Sequence, residues 1–357
     1  MRKFFSMMVV CLLHSVIIAQ SLEVHHLNVG QGDASLILSK DAAGIIVKTV
    51  LLDGGFKKDG NIILTYLRGL GINKLDYVIA SHYDRDHVGG LIVVLDYARG
   101  NPGTLRVDSV LDRGDVISPG HGTNYKAAAD RYGDRRRTLI PGDSLHLFTD
   151  VTSGTGKYSI WMECLCVNGV VFNKALGNYD AVAGIANPDE NDLSTGFRIA
   201  YGKFRYLTCG DIGGKRNSQP GTCDGNYSCK FVDIETNLIS VAGEVSAYKV
   251  SHHGSRCSSN NNWVTDAKAV VAVISSGRSS KYKHPREEVV MQLNAAPDMV
   301  NFFMTCPTNL YGRTLAPKGI LNTTNSPVIL TVRKINSGVD IADSSKFAVQ
   351  HYNYTKK

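Results

Sequence analysis

The chain has 357 residues, 43% of them apolar and 20% charged, with 35 glycines, 10 prolines and a formal charge of +7. That balance excludes a disordered, collagenous or coiled-coil chain and leaves one large globular domain or two ordinary ones. The basic excess is far too thin for a histone-like or ribosomal polycation.

Arg2 and Lys3 precede an almost purely apolar run from Phe4 to Ala19, after which Gln20 and Ser21 restore polarity. This is the shape of a secretory signal peptide over residues 1–20, cleaved near Ala19 or Ser21. The run is interrupted by His14 and is short against the roughly 20 residues that span a bilayer. Cleavage removes Arg2 and Lys3 and lowers the charge from +7 to +5. No later segment approaches a transmembrane run, so the mature chain, residues 21–357, is expected to be secreted without stable membrane association. Seven cysteines remain once Cys11 is lost, and an oxidising compartment leads us to expect disulfides, with Cys223–Cys229 the first candidate. Asn226-Tyr-Ser, Asn322-Thr-Thr and Asn353-Tyr-Thr are glycosylation sequons. No cysteine shows a four-ligand zinc spacing.

Strand-like and helix-like segments then alternate without a linker or repeat. Leu22–Val29 and Ala34–Leu38 read as a hairpin joined by Gly30-Gln-Gly-Asp33, and Ile45–Leu52 as a β-branched strand ending at Asp53-Gly54-Gly55. Asn61–Leu70 has helical spacing and stops at Gly71, Leu75–Ala80 is a buried strand, and Gly89–Ala98 is a helix behind a polar loop. Residues 114–142, rich in Gly, Asp and Arg, read as a long inserted surface loop carrying the basic triplet Arg135–Arg137. A hairpin over Gly196–Leu207, strands at Val245–Val250 and Ala269–Ser275, and a helix over Pro285–Leu293 complete the pattern. Mixed α/β order with many hairpins implies layered sheets flanked by helices.

The polar loop after Ala80 places His82, Asp84, Asp86 and His87 within six residues. Neutral imidazole nitrogens and anionic carboxylate oxygens are good ligands for zinc and similar divalent ions. So many of them on one short turn need a compensating cation, which a merely solvated loop would not supply. Gly89 and Gly90 are expected to let the backbone leave that turn tightly. Asp33 and Asp53 adjoin glycines, where a turn-forming role is at least as good a reading as a functional one.

The loop resembles the HxHxDH signature of the metallo-β-lactamase superfamily, with Asp84 in place of the second histidine. Its HxDxDHxGG form, with Asn28-Val-Gly-Gln-Gly-Asp-Ala34, is similar to the branch that includes the extracytoplasmic domain of ComEC-type competence proteins and related secreted phosphodiesterases. Leu52-Asp-Gly-Gly55, Asn191-Asp-Leu-Ser194, Thr208-Cys-Gly-Asp211, Ser251-His-His-Gly-Ser255 and Lys283-His-Pro285 follow in that family's order. The resemblance implies a four-layered αββα sandwich, a single α/β (α+β) domain with a metal site at the edge between two sheets. It implies two divalent ions, zinc or manganese. His82 and Asp84 would hold one, Asp86, His87 and His253 the other, and Asp211 would bridge them. The superfamily's further histidine ligand is missing. His121 and His146 lie in no matching motif, and Asn191 and Ser194 occupy roughly that region. Asp53 would support the ligand loop, Cys209 would pack, and His252 and His284 would contact or protonate substrate.

The resulting expectation is a metal-dependent hydrolase of phosphodiester bonds, such as DNA, acting through a metal-bound hydroxide with Asp86, His252 and His284 in catalytic roles. Rival readings are a phosphorylcholine-type head-group esterase or other small-ester hydrolase, and a non-catalytic metal-stabilised binding protein. β-Lactam or lactone hydrolysis is disfavoured by Asp84 and the missing histidine.

Overall fold

In the computed structural model the described residues are 20–114, 122–150, 156, 158–173, 178–181, 188–214, 232–277, 282–306, 317–321, 326–333, 346–349 and 352–355. The expected signal peptide, the Cys223–Cys229 loop, His121 and the sequons at Asn226 and Asn322 lie outside them. Among the described residues no helix is long and apolar enough to cross a membrane.

The β-branched and aromatic runs build two large mixed sheets. The first contains β1 (Ser21–His26), β2 (Ser35–Lys40), β3 (Ile46–Leu52), β4 (Lys74–Ile79), β5 (Arg106–Asp112) and β6 (Arg136–Thr138). Beyond β1 it continues through β17 (Val328–Arg333), β18 (Lys346–Val349) and β19 (Tyr352–Thr355), the last carrying Asn353. The second contains β7 (Ser144–Phe148), β8 (Ile160–Val167), β9 (Val170–Asn173), β10 (Asn178–Ala181), β11 (Gly196–Tyr201) and β12 (Phe204–Thr208). It ends with β13 (Ala247–Lys249), β14 (Val271–Ile274), β15 (Asn301–Met304) and β16 (Gly319–Leu321).

Alternation along the strands assigns the layers, because successive side chains point to opposite faces. Val50 and Leu52 of β3, Phe204 and Tyr206 of β12, and Val271 and Val273 of β14 share one core between the sheets. Leu51 and Val78 instead face α1 (Gly60–Gly69), α2 (Arg85–Gly100) and α3 (Thr123–Asp130). On the far side Leu207, Ala272 and Ile274 face α4 (Ile234–Ala242), α5 (Asn261–Asp266) and α6 (Glu287–Ala295). The order is helix, sheet, sheet, helix, as the motif resemblance implies.

Each sheet has an antiparallel part and a parallel part. The β3–β4–β5–β6 ladder is parallel, as is β12–β13–β14–β15–β16. Parallel strands all end on one side, so their following loops converge there, the usual place for a ligand in such sheets. Asp53 follows β3, His82 follows β4, Asp211 follows β12 and His253 follows β13.

Two expectations need correction. Helix α2 begins at Arg85 with Asp84 as its extended N-cap, so Asp86 and His87 sit on its first turn rather than in a loop. The glycines are inside that helix. A Cβ on Gly90 would lie 1.9 Å from the Gly54 carbonyl oxygen, and one on Gly89 would lie 2.4 Å from the Lys57 nitrogen. They therefore permit backbone-to-backbone packing of α2 on the Asp53–Gly55 turn, not an exit from a turn. The supposed inserted loop is also, from residue 122 onward, ordered structure. Tyr125, Ala128, Ala129 and Tyr132 fall at helical spacing and are buried against the α2 layer. Flanking glycines and arginines hid that period. Within the triplet, Arg135 donates to the Val107 carbonyl at 3.0 Å, and Arg136 pairs with Asp112 at 2.9 Å and with Asp130.

Candidate metal centre

The site is assembled from the ends of β3, β4, β12 and β13. Asp53 stands at the end of β3 with φ 60°, a left-handed conformation that aspartate tolerates better than most residues. Its carboxylate accepts from the Ser81 amide at 2.8 Å and the Ser81 hydroxyl at 2.7 Å, and faces His87 Nδ1 at 2.9 Å. His87 Nδ1 must therefore carry the hydrogen, and its Nε2 is directed into the centre. The Ser81 hydroxyl, having donated to Asp53, accepts from His82 Nδ1 at 3.0 Å. That leaves His82 Nε2 buried with no hydrogen-bond partner.

From the second sheet, His253 Nδ1 meets the Ser275 carbonyl at 2.8 Å and is likewise fixed as the donor. Its Nε2 lies 3.3 Å from His87 Nε2, 3.2 Å from Asp211 Oδ2 and 3.4 Å from Asp86 Oδ2. Asp211 Oδ1 is 3.3 Å from His87 Nε2 and makes no hydrogen bond. The His82 ring lies tilted against that of His87 with ring centroids 4.1 Å apart, and its Nε2 is 3.8 Å from Asp84 Oδ2. His252 and His253 are successive left-handed residues, φ 49° and 54°. Such backbone strain in non-glycine residues concentrates at functional sites.

Imidazole lone pairs and carboxylate oxygens facing one another at these distances repel unless a cation lies among them. The electrostatics agree. Burial opposes charge on His87, yet Asp211 and Asp53 hold its pKa well above the ordinary histidine value. Burial likewise opposes charge on His253, but Asp211 and Asp86 push it up to about 10. Asp211 moves the other way. Burial would raise it, but His253, His87 and His252 hold it well below the usual carboxylate range. The cluster draws in positive charge, as a divalent cation site does. Asp33, His87, Asp211 and His253 each offer an atom within 4.8 Å of the others.

The structure brings Asp86, His87, Asp211 and His253 into one group, with His82 and Asp84 beside it. His252 Nε2 lies 3.9 Å from Asp211 Oδ2. His284 adjoins both, its ring centroid 5.6 Å from that of His252 and 6.2 Å from that of His253. Burial lowers the pKa of His252 and, together with His252, that of His284. Ser194 does not point a free oxygen into the centre, since its hydroxyl accepts from the Asp211 amide at 3.1 Å. His146 is engaged elsewhere, stacked on Trp161 at 4.0 Å. Cys209 is a buried thiol. Two residues exceed what their sequence context signalled. Asp33 is buried in the site rather than merely turning a loop, and Lys249 bonds to it. The glycines around Asp33 masked the one, and a strand context masked the other.

A family model of the metallo-β-lactamase superfamily matches residues 42–110. Recombination protein 2 of Haemophilus influenzae is 26% identical over 82% of this chain and 29% of its own length. ComE operon protein 3 of Bacillus subtilis is 22% identical over 76% of this chain and 30% of its own. The chain thus spans about three tenths of the length of these curated relatives. The metallo-β-lactamase-fold protein YhfI from Bacillus subtilis aligns with 87% of this chain and 98% of its own, at 12% identity and a TM-score of 0.44. The chain carries a metallo-β-lactamase fold, and its sequence resembles the ComEC-type competence proteins.

Proposed function

We propose that the chain is a metal-dependent hydrolase of phosphodiester bonds. The observation that carries this is the convergence of the His87 and His253 Nε2 atoms, each with its Nδ1 already committed, upon Asp86 and Asp211, with His82 Nε2 beside them facing Asp84. On this reading His82, Asp84, Asp86, His87, Asp211 and His253 would together hold two divalent ions; zinc or manganese suits the donors. When bound, such ions supply Lewis acidity towards a phosphoryl oxygen and lower the pKa of water towards about 7. Asp86 lies at the mouth of the centre, its side chain 21% exposed, and orients the attacking water. His284, beside the centre, can donate a hydrogen bond from an imidazole N–H to the leaving oxygen, with His252 beside it.

DNA is the phosphodiester we favour, because one relative is named for recombination and the sequence resembles the ComEC-type competence proteins. We further propose that the protein acts outside the cell after losing residues 1–20. The test combines metal analysis with turnover of bis(p-nitrophenyl) phosphate, with chelator, Asp86→Ala and Asp211→Ala controls. Both variants should stay folded and lose turnover; activity retained in both sinks the assignment. Cleavage of DNA should fall steeply with ionic strength, whereas a head-group esterase would be almost indifferent to it.

A further inference from the structure

Lys249 closes β13 with its side chain 2% exposed, an unusual depth for an ammonium. Its three donors meet three acceptors: the Asp33 carboxylate, the Gly210 carbonyl at 3.2 Å and the Val250 carbonyl at 3.2 Å. Each acceptor belongs to a segment that carries part of the centre. The Asp33 amide donates to the Asp86 carbonyl at 3.0 Å, Gly210 precedes Asp211, and Val250 leads into His252 and His253. One buried ammonium therefore ties both sheets together behind the proposed ligands.

The position of Asp33 gives this tie a chemical consequence. By proximity alone Asp33 would complete a four-residue cation site with His87, Asp211 and His253. Yet its Oδ2, 3.9 Å from His87, approaches the Nδ1 edge that Asp53 already holds, not the Nε2 edge that faces Asp211. The same oxygen is bonded to Lys249.

We propose that Lys249 is a positioning residue of the centre, which neutralises Asp33 and keeps that carboxylate out of the metal's ligand set. The inference rests on the ligand reading above. Its prediction is specific: remove the ammonium and Asp33 becomes a ligand, so the coordination changes rather than merely weakening.

The test uses the full chain loaded with cobalt(II), whose visible absorption reports the number and type of ligands. Far-UV circular dichroism monitors folding. Lys249→Met should alter the cobalt spectrum, and Lys249→Met with Asp33→Asn should restore the wild-type one. Asp33→Asn alone should keep the wild-type spectrum, with affinity lowered about tenfold by the uncompensated lysine. A Lys249→Met spectrum identical to wild type overturns the proposal. So does an Asp33→Asn spectrum that changes as much as that of Asp211→Asn. Should Lys249→Met fail to fold, the near-isosteric Asp33→Asn decides by itself. Wild-type protein that takes up no cobalt overturns the ligand reading, and this inference with it.

Discussion

Replacing Asp53 by Asn isolates the role of a single proton. The backbone should tolerate the change, since asparagine accepts the left-handed conformation held by Asp53 at φ 60°. The amide oxygen can keep the Ser81 N–H bond of 2.8 Å, but its NH2 then faces the Ser81 hydroxyl and His87 Nδ1, at 2.7 and 2.9 Å from the present carboxylate oxygen. Two donors cannot share a hydrogen bond, so His87 gains by moving its hydrogen to Nε2. That hydrogen would occupy the edge now 3.3 Å from both Asp211 Oδ1 and His253 Nε2, where a metal ligand needs its lone pair. Loss of such an outer carboxylate typically costs about 10–100-fold in metal affinity, or roughly 1.4–2.7 kcal/mol. Competition against a chromophoric chelator measures the affinity, and circular dichroism checks the fold. Affinity within about twofold of wild type in a folded Asp53→Asn protein would refute the tautomer reasoning.

Gly90→Ala should destabilise the fold, because the new methyl would sit 1.9 Å from a backbone oxygen that no side-chain motion can clear. About 3 kcal/mol or more should be lost in urea denaturation, at the upper end for overpacking, and an unchanged midpoint would count against the packing account. Glu23→Gln probes pH dependence. Burial works against the Glu23 carboxylate, but His25 at 3.0 Å and Lys40 at 2.7 Å override it and hold the pKa at about 2. A depressed carboxyl contributes stability above its unfolded pKa of about 4.3 and loses it as pH falls towards the folded value. The variant should therefore trail wild type by at most about 3 kcal/mol near neutrality, with the gap closing by pH ~2. A gap that persists at that pH excludes the ion pairs as its source.

Much of the centre is readable from the chain because its donors are short, polar interruptions at the ends of apolar strands. The His82–His87 cluster and the Asp53, Asp211 and His253 turns follow the strands β4, β3, β12 and β13, in that order. What escaped was set by long-range packing. Nothing local distinguishes Lys249 from any other lysine at a strand end; it becomes a buried cation only because Asp33, 216 residues earlier, meets it across the sheets. Gly89 and Gly90 carry the same lesson, since their purpose depends on the approach of the Gly54 backbone. The α3 helix is masked for a different reason: its eight residues are short, and Gly122 and Gly133 bracket them with turn chemistry.

The convergence of loops from both sheets would also couple ion binding to the cohesion of the sandwich. On the proposed ligand set, separating the sheets would require releasing the ions. Ligand linkage then adds about 2.7 kcal/mol of stability when free metal stands at a hundred times its dissociation constant, and nothing when a chelator removes it. Ambient metal would thus govern how long the folded protein survives, and on the proposed function also whether it turns over.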